Sequence, residues 1–338
     1  MNSESELSDL LTTPSAELIA DLAQIDGDIM VLGAGGKMGP ALCGLAIRAL
    51  AAAGRGQKVI AVSRWSNRTA AEKLEAAGVT VLSADLARPE AFSALEPVAN
   101  VVFMVGKKFG TSQAPSGTWW TNAHVAGLAG VHFQNSTIAA FSSGNVYPLV
   151  EVTSGGSTVS SPVGPIGEYA QACLARERMF EAVADQYGTR VSLLRLNYAV
   201  EMRYGVLVDI ARQVLAGEAV DCTTGVVNVC WQGWANEVAL RSLTRASAPA
   251  TVINVTGPET VSVAWLAQEF GRLMDRKVIL TGTPSTTALL NNALNTHAEF
   301  GYPSVPLATL VRWTARWLQA GGEVLDKPTK FAVRTGTY

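Results

Sequence analysis

The predicted fold is decided by residues 29–40, which read IMVLGAGGKMGP. The first four are apolar, as in a buried strand, and residues 41–53 show a helical pattern. Between these elements Gly33, Gly36 and Gly39 stand three residues apart, which permits a tight turn and close packing of backbone against an anion. Free amides and the positive dipole end of the helix suit a pyrophosphate. We interpret the stretch as a dinucleotide-binding strand, loop and helix rather than a plain turn.

Composition narrows the class of partner. The 338 residues are 48% hydrophobic and 16% charged, enough to bury one large core or two modest ones. The formal charge is -2, and lysines and arginines are scattered, which argues against nucleic acid and membrane surfaces and favours a small molecule. The cysteines and histidines form no ligand pattern, so no metal is expected. With no signal peptide and no membrane-spanning apolar run, we expect a cytoplasmic protein.

The end of the second predicted strand, residues 58–62, bears on the choice of coenzyme. An NAD site places Asp or Glu there to bind the ribose hydroxyls, whereas this chain has Ser63 and Arg64, with Arg68 further on. A guanidinium and a hydroxyl suit a 2′-phosphate. We therefore expect NADP, with NAD as the alternative; otherwise Arg64 is a solvated surface charge.

Two further strands are predicted at residues 79–82 and 100–105. Asp85, after the first of them, is expected either to accept from an adenine amino group or to cap a helix at 89–95. The second leads into Lys107 and Lys108, at the sheet edge where open α/β sheets bind ligands. These lysines are expected to face phosphate or substrate, or simply solvent.

The later segments resemble the extended short-chain dehydrogenase/reductase family, which contains nucleotide-sugar epimerases and dehydratases. The similarity covers nearly the whole chain. The matching features are the Gly-x-x-Gly-x-x-Gly loop of Gly33, Gly36 and Gly39, the adenine contact Asp85, the strand end Ser142-Ser143-x-x-Val146-Tyr147, the tyrosine Tyr169 preceded by Pro165, and the segments 194–197, 206–217 and 253–258.

The resemblance implies a fold and a set of partners. The fold is α/β, a Rossmann-type doubly wound parallel sheet in residues 1–200 and 226–256, with a smaller α/β substrate lobe in 201–225 and 257–338. It also implies a nicotinamide coenzyme, a sugar or nucleotide-sugar substrate, and a homodimer paired through the helices near Trp119 and Tyr169.

The resemblance further assigns site residues. Tyr169 is the expected acid/base and Ser143 the hydrogen-bond donor to the reacting oxygen. The expected coenzyme contacts are Gly33, Gly36, Lys37, Met38, Gly39, Ser63, Arg64, Asp85, Leu86 and Val105. The expected substrate contacts are Ser143, Asn197 and Arg203; the last two come from their polar side chains, and the equal alternative is that they are loop and cap residues.

The sequence departs from the family at a chemically demanding position. The family's Tyr-x-x-x-Lys motif here runs from Tyr169 to Cys173, so the lysine that lowers the phenol pKa is absent. Lowering a phenol pKa from about 10 to about 7 requires roughly 4 kcal/mol, which a neutral thiol cannot supply. We expect Cys173 to be an apolar filler. Two substitutes remain open: the charge of the oxidised nicotinamide, and a lysine from another segment, preferably Lys108.

The remaining segments suggest how the cleft is built. Helices are predicted at residues 206–217, 257–276 and 306–320, and a strand at 226–231. The basic tail, residues 327–338, either closes over the cleft or trails in solvent. The expected function is an NADP-preferring oxidoreductase or epimerase acting on a sugar-like carbonyl compound; the alternative is a non-catalytic NADP(H)-binding sensor or scaffold.

Overall fold

The computed structural model describes residues 1, 3–110 and 113–337, and its centre is a sheet of seven parallel strands. They are β1 (Ile29–Leu32), β2 (Val59–Ser63), β3 (Thr80–Ser83), β4 (Asn100–Phe103), β5 (Thr137–Ser143), β6 (Val191–Leu196) and β7 (Thr251–Val255). Their order across the sheet is β7-β6-β5-β4-β1-β2-β3. The chain builds outward from β1 to β3 and then returns to the other side of β1, so the topological switch point lies between β1 and β4. The expected doubly wound parallel sheet is confirmed.

Helices and short strand pairs surround this sheet. The helices are α1 (Glu4–Thr12), α2 (Ala16–Leu22), α3 (Gly39–Ala52), α4 (Arg68–Ala76), α5 (Glu90–Ser93), α6 (Pro115–Trp119), α7 (Val125–His132), α8 (Gly167–Tyr187), α9 (Val206–Ala216), α10 (Gln232–Arg241), α11 (Val263–Met274), α12 (Leu294–Phe300) and α13 (Leu307–Gln319). A π-helical turn, Trp120–His124, joins α6 to α7. Short strands pair Ala199–Val200 with Cys230–Trp231, Val226–Val227 with Val261–Ser262, Ala219–Asp221 with Ile279–Thr281, and Val150–Glu151 with Thr287–Ala288.

The sheet separates two apolar cores, because alternate residues of each strand point to opposite faces. On β1, Ile29 and Val31 pack with α1, α2, α3 and α10, whereas Met30 and Leu32 pack with α7 and α8. The first core continues into the C-terminal lobe, where α9, α11 and α13 pack on one another. No helix in residues 3–110 or 113–337 is both long and apolar enough to cross a bilayer.

Several element boundaries differ from the sequence predictions. The helix predicted at 257–276 begins only at Val263, because residues 261–262 pair as a strand and the Ser262 hydroxyl caps the helix by accepting from the amide of Trp265. The strand predicted at 226–231 is two short strands with different partners. Helix α1 was not predicted, although its Ser3 cap and its buried Leu7 and Leu11 are an amphipathic pattern.

A buried ion pair ties the helix that carries Tyr169 to the sheet. Glu177 on α8 accepts from the Arg195 guanidinium on β6 at 2.7 and 2.9 Å, and from the Ser142 hydroxyl at the end of β5 at 2.5 Å. Arg195 also donates to the Tyr147 hydroxyl at 2.7 Å. Because both charged partners are buried and bonded from several sides, the pair fixes α8 relative to the ends of β5 and β6.

Replacing Glu177 by alanine should lower the free energy of unfolding by about 3–5 kcal/mol, since it leaves the Arg195 guanidinium buried without its carboxylate. The matched control is Glu181→Ala on the same helix. Its carboxylate pairs with the exposed Arg178, so its loss should cost less than about 1 kcal/mol. Urea denaturation measures both; equal losses would contradict this account of α8.

Candidate active site

The glycine loop is shaped by contacts that exclude side chains. Gly33 adopts a positive φ of 86°, and a β-carbon on it would lie 2.9 Å from the amide nitrogen of Val105. A β-carbon on Gly39 would overlap the carbonyl of Ala34. The loop is held to the sheet because the amides of Gly33 and Ala34 both donate to the carbonyl of Val62, at 2.9 and 3.1 Å. Glycine is therefore required at Gly33 and Gly39 for β1, the loop and α3 to pack as they do.

The start of α3 fits the diphosphate of a dinucleotide. Met38 is the N-cap residue of this 14-residue helix, and its side chain makes no hydrogen bond to the first backbone amides. Gly35 and Gly36 are exposed beside it, which leaves the backbone open to a ligand. The positive end of the helix dipole and the bare backbone of the glycines together suit a diphosphate group.

The residues expected to contact the adenosine end lie beyond this loop. Ser63 packs against it, since a β-carbon on Gly35 would lie 2.5 Å from the Ser63 hydroxyl oxygen, and Arg64 next to it is exposed. The Asp85 carboxylate accepts from the amide of Ala87 at 3.2 Å, while Leu86 is buried. The N-cap residue of α5 is Pro89, so the alternative that Asp85 caps this helix is wrong. The Asp85 carboxylate closes a turn that begins four residues before Pro89. The adenine contact stays a prediction.

A cavity of about 650 Å³ opens at the carboxyl ends of β5 and β6, and it contains both Ser143 and Tyr169. Ser143 reaches it from the end of β5, and Tyr169 from the first turn of α8. The described lining consists of Lys37, Met38, Lys108, Ser142, Ser143, Asn145, Tyr169, Leu196, Asn197, Tyr198, Ala199, Tyr204, Gly205, Val206 and Thr329. The structure thus brings together the two predicted catalytic groups and two lysines.

The Tyr169 phenol is held in its neutral form. Its pKa lies well above 10, because burial disfavours the phenolate and because Cys173 beside it acts in the same direction. The positive charge of Arg176 and a hydrogen bond with Ser143 act in the opposite direction but do not prevail. At neutral pH this phenol is therefore a proton donor.

Cys173 stands where the resemblance implies a lysine, and its thiol is hydrogen-bonded to the Tyr169 side chain. Its side chain is fully buried and packs with Val146 and Tyr147. Arg176, one turn further along α8, supplies a cation that was not predicted. Its guanidinium donates to the carbonyl of Phe141 at 2.7 Å and to the side-chain oxygen of Asn122.

Lys108 reaches the cavity, in line with the hypothesis that a lysine from another segment enters it. Its Nζ lies 6.0 Å from the centroid of the Tyr169 ring and donates to the carbonyl oxygen of Thr329 at 3.2 Å. Lys37, from the glycine loop, lines the same cavity, with its Nζ 3.4 Å from the centroid of the Tyr204 ring. Burial lowers the pKa of Lys37 to about 7 and that of Lys108 to about 8.

The two further predicted substrate contacts separate in the structure. Asn197 lines the cavity and donates from its side-chain nitrogen to the Asn228 side chain at 2.7 Å. Arg203 is not part of the described lining: its Nε lies 3.2 Å from the Glu201 carboxylate, and its carbonyl accepts from the amide of Leu325. Arg203 thus joins the loop after β6 to the segment at Leu325 and is not among the residues that line the cavity.

Comparison with known proteins identifies the family. Residues 29–225, more than half of the chain, match the model of the NAD dependent epimerase/dehydratase family. The chain belongs to this family. A search of curated proteins found no match.

Solved structures of similar fold include epimerases and dehydratases. UDP-glucose 4-epimerase from Thermotoga maritima, solved with UDP-glucose, has a TM-score of 0.72 at 16% identity, covering 87% of this chain and 99% of that one. DesIV, a dTDP-glucose 4,6-dehydratase from Streptomyces venezuelae, was solved as a double mutant with NAD; it has a TM-score of 0.72 at 17% identity, covering 86% and 96%. UDP-glucuronic acid 4-epimerase from Bacillus cereus has a TM-score of 0.71 at 14% identity, covering 86% and 99%.

Sequence reasoning missed several cavity residues of this epimerase/dehydratase family member, among them Tyr198, Tyr204 and Thr329. Tyr198 follows β6 and has a positive φ of 49°, Tyr204 lies under Lys37, and Thr329 belongs to the tail. No local pattern marks them, because each reaches the cavity through the tertiary fold.

The two cavity lysines should titrate unusually early. Reductive methylation with ¹³C followed by NMR titration should place Lys37 near pH 7 and Lys108 near pH 8, because both amines are desolvated. Lys37→Met and Lys108→Met assign the signals. Titration of both near the ordinary lysine value of about 10.4 would contradict the described geometry.

Proposed function

We propose that the protein catalyses nicotinamide-dinucleotide-dependent hydride transfer at a carbinol or carbonyl carbon of a sugar-like molecule. The observation that carries the proposal is that Tyr169 and Ser143 share one cavity and a hydrogen bond, at the sheet edge beside the glycine loop. The family assignment and the fit of the glycine loop to a diphosphate support it. When bound, the coenzyme would donate or accept the hydride.

The chain's own residues then handle the substrate oxygen. Ser143 donates a hydrogen bond to this oxygen and orients it toward Tyr169. In reduction, the Tyr169 hydroxyl gives its proton to the oxygen as negative charge develops there; in oxidation, it must first lose that proton. With a neutral phenol, Tyr169 can give a proton in reduction but cannot accept one in oxidation.

Tyr169→Phe should lower kcat of carbonyl reduction by a factor of about 10²–10⁴, the usual contribution of a positioned acid. Tyr187→Phe, an exposed tyrosine at the other end of the same helix, is the matched control and should retain activity. Loss of NADPH absorbance with a panel of keto-sugars measures both. Equal turnover by the two variants would remove Tyr169 from the mechanism.

The raised pKa of Tyr169 should also set the pH dependence. Reduction uses the neutral phenol, so its rate should stay flat from pH 6 to pH 9. Oxidation needs the phenolate, so with chemistry rate-limiting it should rise about tenfold for each pH unit between 7 and 9. In Cys173→Lys, a cation beside the phenol should raise oxidation at pH 7, while Cys173→Ser should not. A flat oxidation profile in the natural protein would contradict this assignment.

We further propose a preference for NADP over NAD. Support comes from the exposed Arg64 directly after β2 and from the lack of a carboxylate at Ser63 or Arg64, the positions where an NAD site places one. A lost charge-assisted bond to the 2′-phosphate is worth about 1.5–3 kcal/mol, so Arg64→Ala should weaken NADPH binding at least tenfold relative to NADH. Arg316→Ala, an exposed arginine on α13, should not. Fluorescence titration tests this, and an unchanged ratio in Arg64→Ala would favour NAD.

Cys173 favours a second candidate, a non-catalytic NADP(H)-binding sensor or scaffold, because the family's charged group is absent there. The retained pair of Ser143 and Tyr169 supports the enzyme instead. Tight binding of NADPH without turnover across a broad panel of carbonyl compounds would decide for the sensor.

We also propose a homodimer paired through α6 and α8. Trp119 and Trp120 are 38% and 47% exposed and Met179 is 39% exposed, a concentration of apolar surface on neighbouring helices. Light scattering should show a dimer that Met179→Glu dissociates; a monomeric natural protein would exclude it.

We propose that the two parts of the chain divide the site between them. Residues 1–200 and 226–256 hold the coenzyme, and residues 201–225 and 257–338 complete the substrate site.

A further inference from the structure

The cavity around Ser143 and Tyr169 carries amines and no acids. Lys37 enters it from the glycine loop and Lys108 from the segment after β4, while none of the described lining residues is an aspartate or a glutamate. Two amines from separate segments converge on the space beside the reacting groups, and each can hold a proton once an anion lies beside it. Such a site attracts an anion.

The nearest carboxylates are engaged elsewhere. Glu201 is buried behind the cavity and accepts from the amide of Arg203 at 2.9 Å and from its Nε at 3.2 Å. Asp209 on α9 accepts from the amide and the hydroxyl of Thr329, at 2.7 and 2.6 Å. Each acid acts on a lysine only through space, so neither occupies the cavity as its counter-ion.

The tail closes the outer side of the cavity. Thr329 is one of its walls and accepts from Lys108, and Phe331 and Arg334 help to line an adjoining cavity of about 480 Å³. Arg334 anchors the tail by donating to the carbonyl and hydroxyl oxygens of Thr287, both at 2.6 Å. Gly336 lies against the backbone of Ile166 at the start of α8. Of the two alternatives left by the sequence, closure over the cleft is what the structure shows.

Closure limits the size of the ligand. The nicotinamide end of a coenzyme would fill part of the cavity that Thr329 helps to close. The remaining space suits a single sugar-sized molecule. A nucleoside diphosphate sugar would have to displace the anchored tail.

We propose that this cavity binds a small monocarboxylate, a hydroxy acid or sugar acid whose carboxylate lies against Lys37 and Lys108 while its carbinol or carbonyl carbon faces Ser143 and Tyr169. The chemical step rests on the proposed function, but the preference for an acid is a property of binding. It is therefore testable without turnover.

Acid binding should draw protons into the cavity. An anion beside the amines stabilises their charged form, so the pKa of each lysine rises when the acid binds. At pH 8 the amines are partly neutral, so each acid bound should take up about one proton from the buffer, whereas a neutral sugar should take up none.

The experiment is calorimetry of the full chain saturated with NADP⁺, at pH 8, in HEPES and in Tris, whose ionisation enthalpies differ. The probes are matched pairs of glucuronate with glucose, galacturonate with galactose, and glycerate with glycerol, together with glucose 6-phosphate and UDP-glucose. At least one acid should bind ten times or more tightly than its neutral partner, with proton uptake. In Lys37→Met this advantage should collapse, whereas Lys73→Met, at an exposed position on α4, should retain it. Thermal melting verifies that the variants fold. If Lys37→Met does not fold, Lys108→Met takes its place in the same comparison.

Each other result overturns the proposal in a distinct way. No advantage for an acid in any pair, including no binding by either member, removes the carboxylate site. Tighter binding of glucose 6-phosphate than of any acid makes the anion a phosphate, and tightest binding of UDP-glucose shows that the tail does not limit size. Any of these leaves the proposed hydride transfer standing, whereas failure to bind NADP⁺ or NAD⁺ at all removes the proposed function itself.

Discussion

The close approach of the glycine loop to the strand ends is the constraint on which the site depends. No side chain fits between Gly39 and the Ala34 carbonyl, or between Gly33 and the backbone at Val105. This packing sets the start of α3, with the positive end of its dipole, at the switch point between β1 and β4. It also places Lys37, which directly follows Gly36, on the wall of the cavity that contains Tyr169.

The absent lysine changes the electrostatics without emptying the site of positive charge. With a thiol at Cys173, no cation among the described residues of α8 hydrogen-bonds the Tyr169 phenol, because Arg176 donates to the backbone of Phe141 and to Asn122. Lys37 and Lys108 reach the cavity from other segments, and the Nζ of Lys108 lies 6.0 Å from the centroid of the Tyr169 ring. The phenol stays protonated because burial raises its pKa, and the proposed carboxylate would lie against the two amines. This distribution links the proposed direction of the reaction to the proposed acidity of the substrate.

Local sequence patterns predicted the sheet well. The short apolar strands are buried on both faces and read as continuous hydrophobic runs, and the glycine spacing marks the loop. Tyr169 and Ser143 came from the family resemblance, and the structure brings them together. The orientation of Lys37, the approach of Tyr204 and the return of Thr329 arise from contacts between residues far apart in sequence, which no spacing rule encodes. Arg203 lies outside the described lining because it pairs with Glu201, two residues earlier, in a loop whose conformation the sequence pattern did not predict.

The account is tested most directly by the coenzyme affinity of Gly39→Ala measured beside that of Gly56→Ala. A methyl group at Gly39 must push α3 away from the loop, whereas Gly56 has open space around it and an ordinary backbone conformation. Fluorescence titration with NADPH should show that Gly39→Ala loses at least tenfold in affinity while Gly56→Ala binds like the natural protein. Equal binding by both variants would contradict the claim that this loop holds the coenzyme.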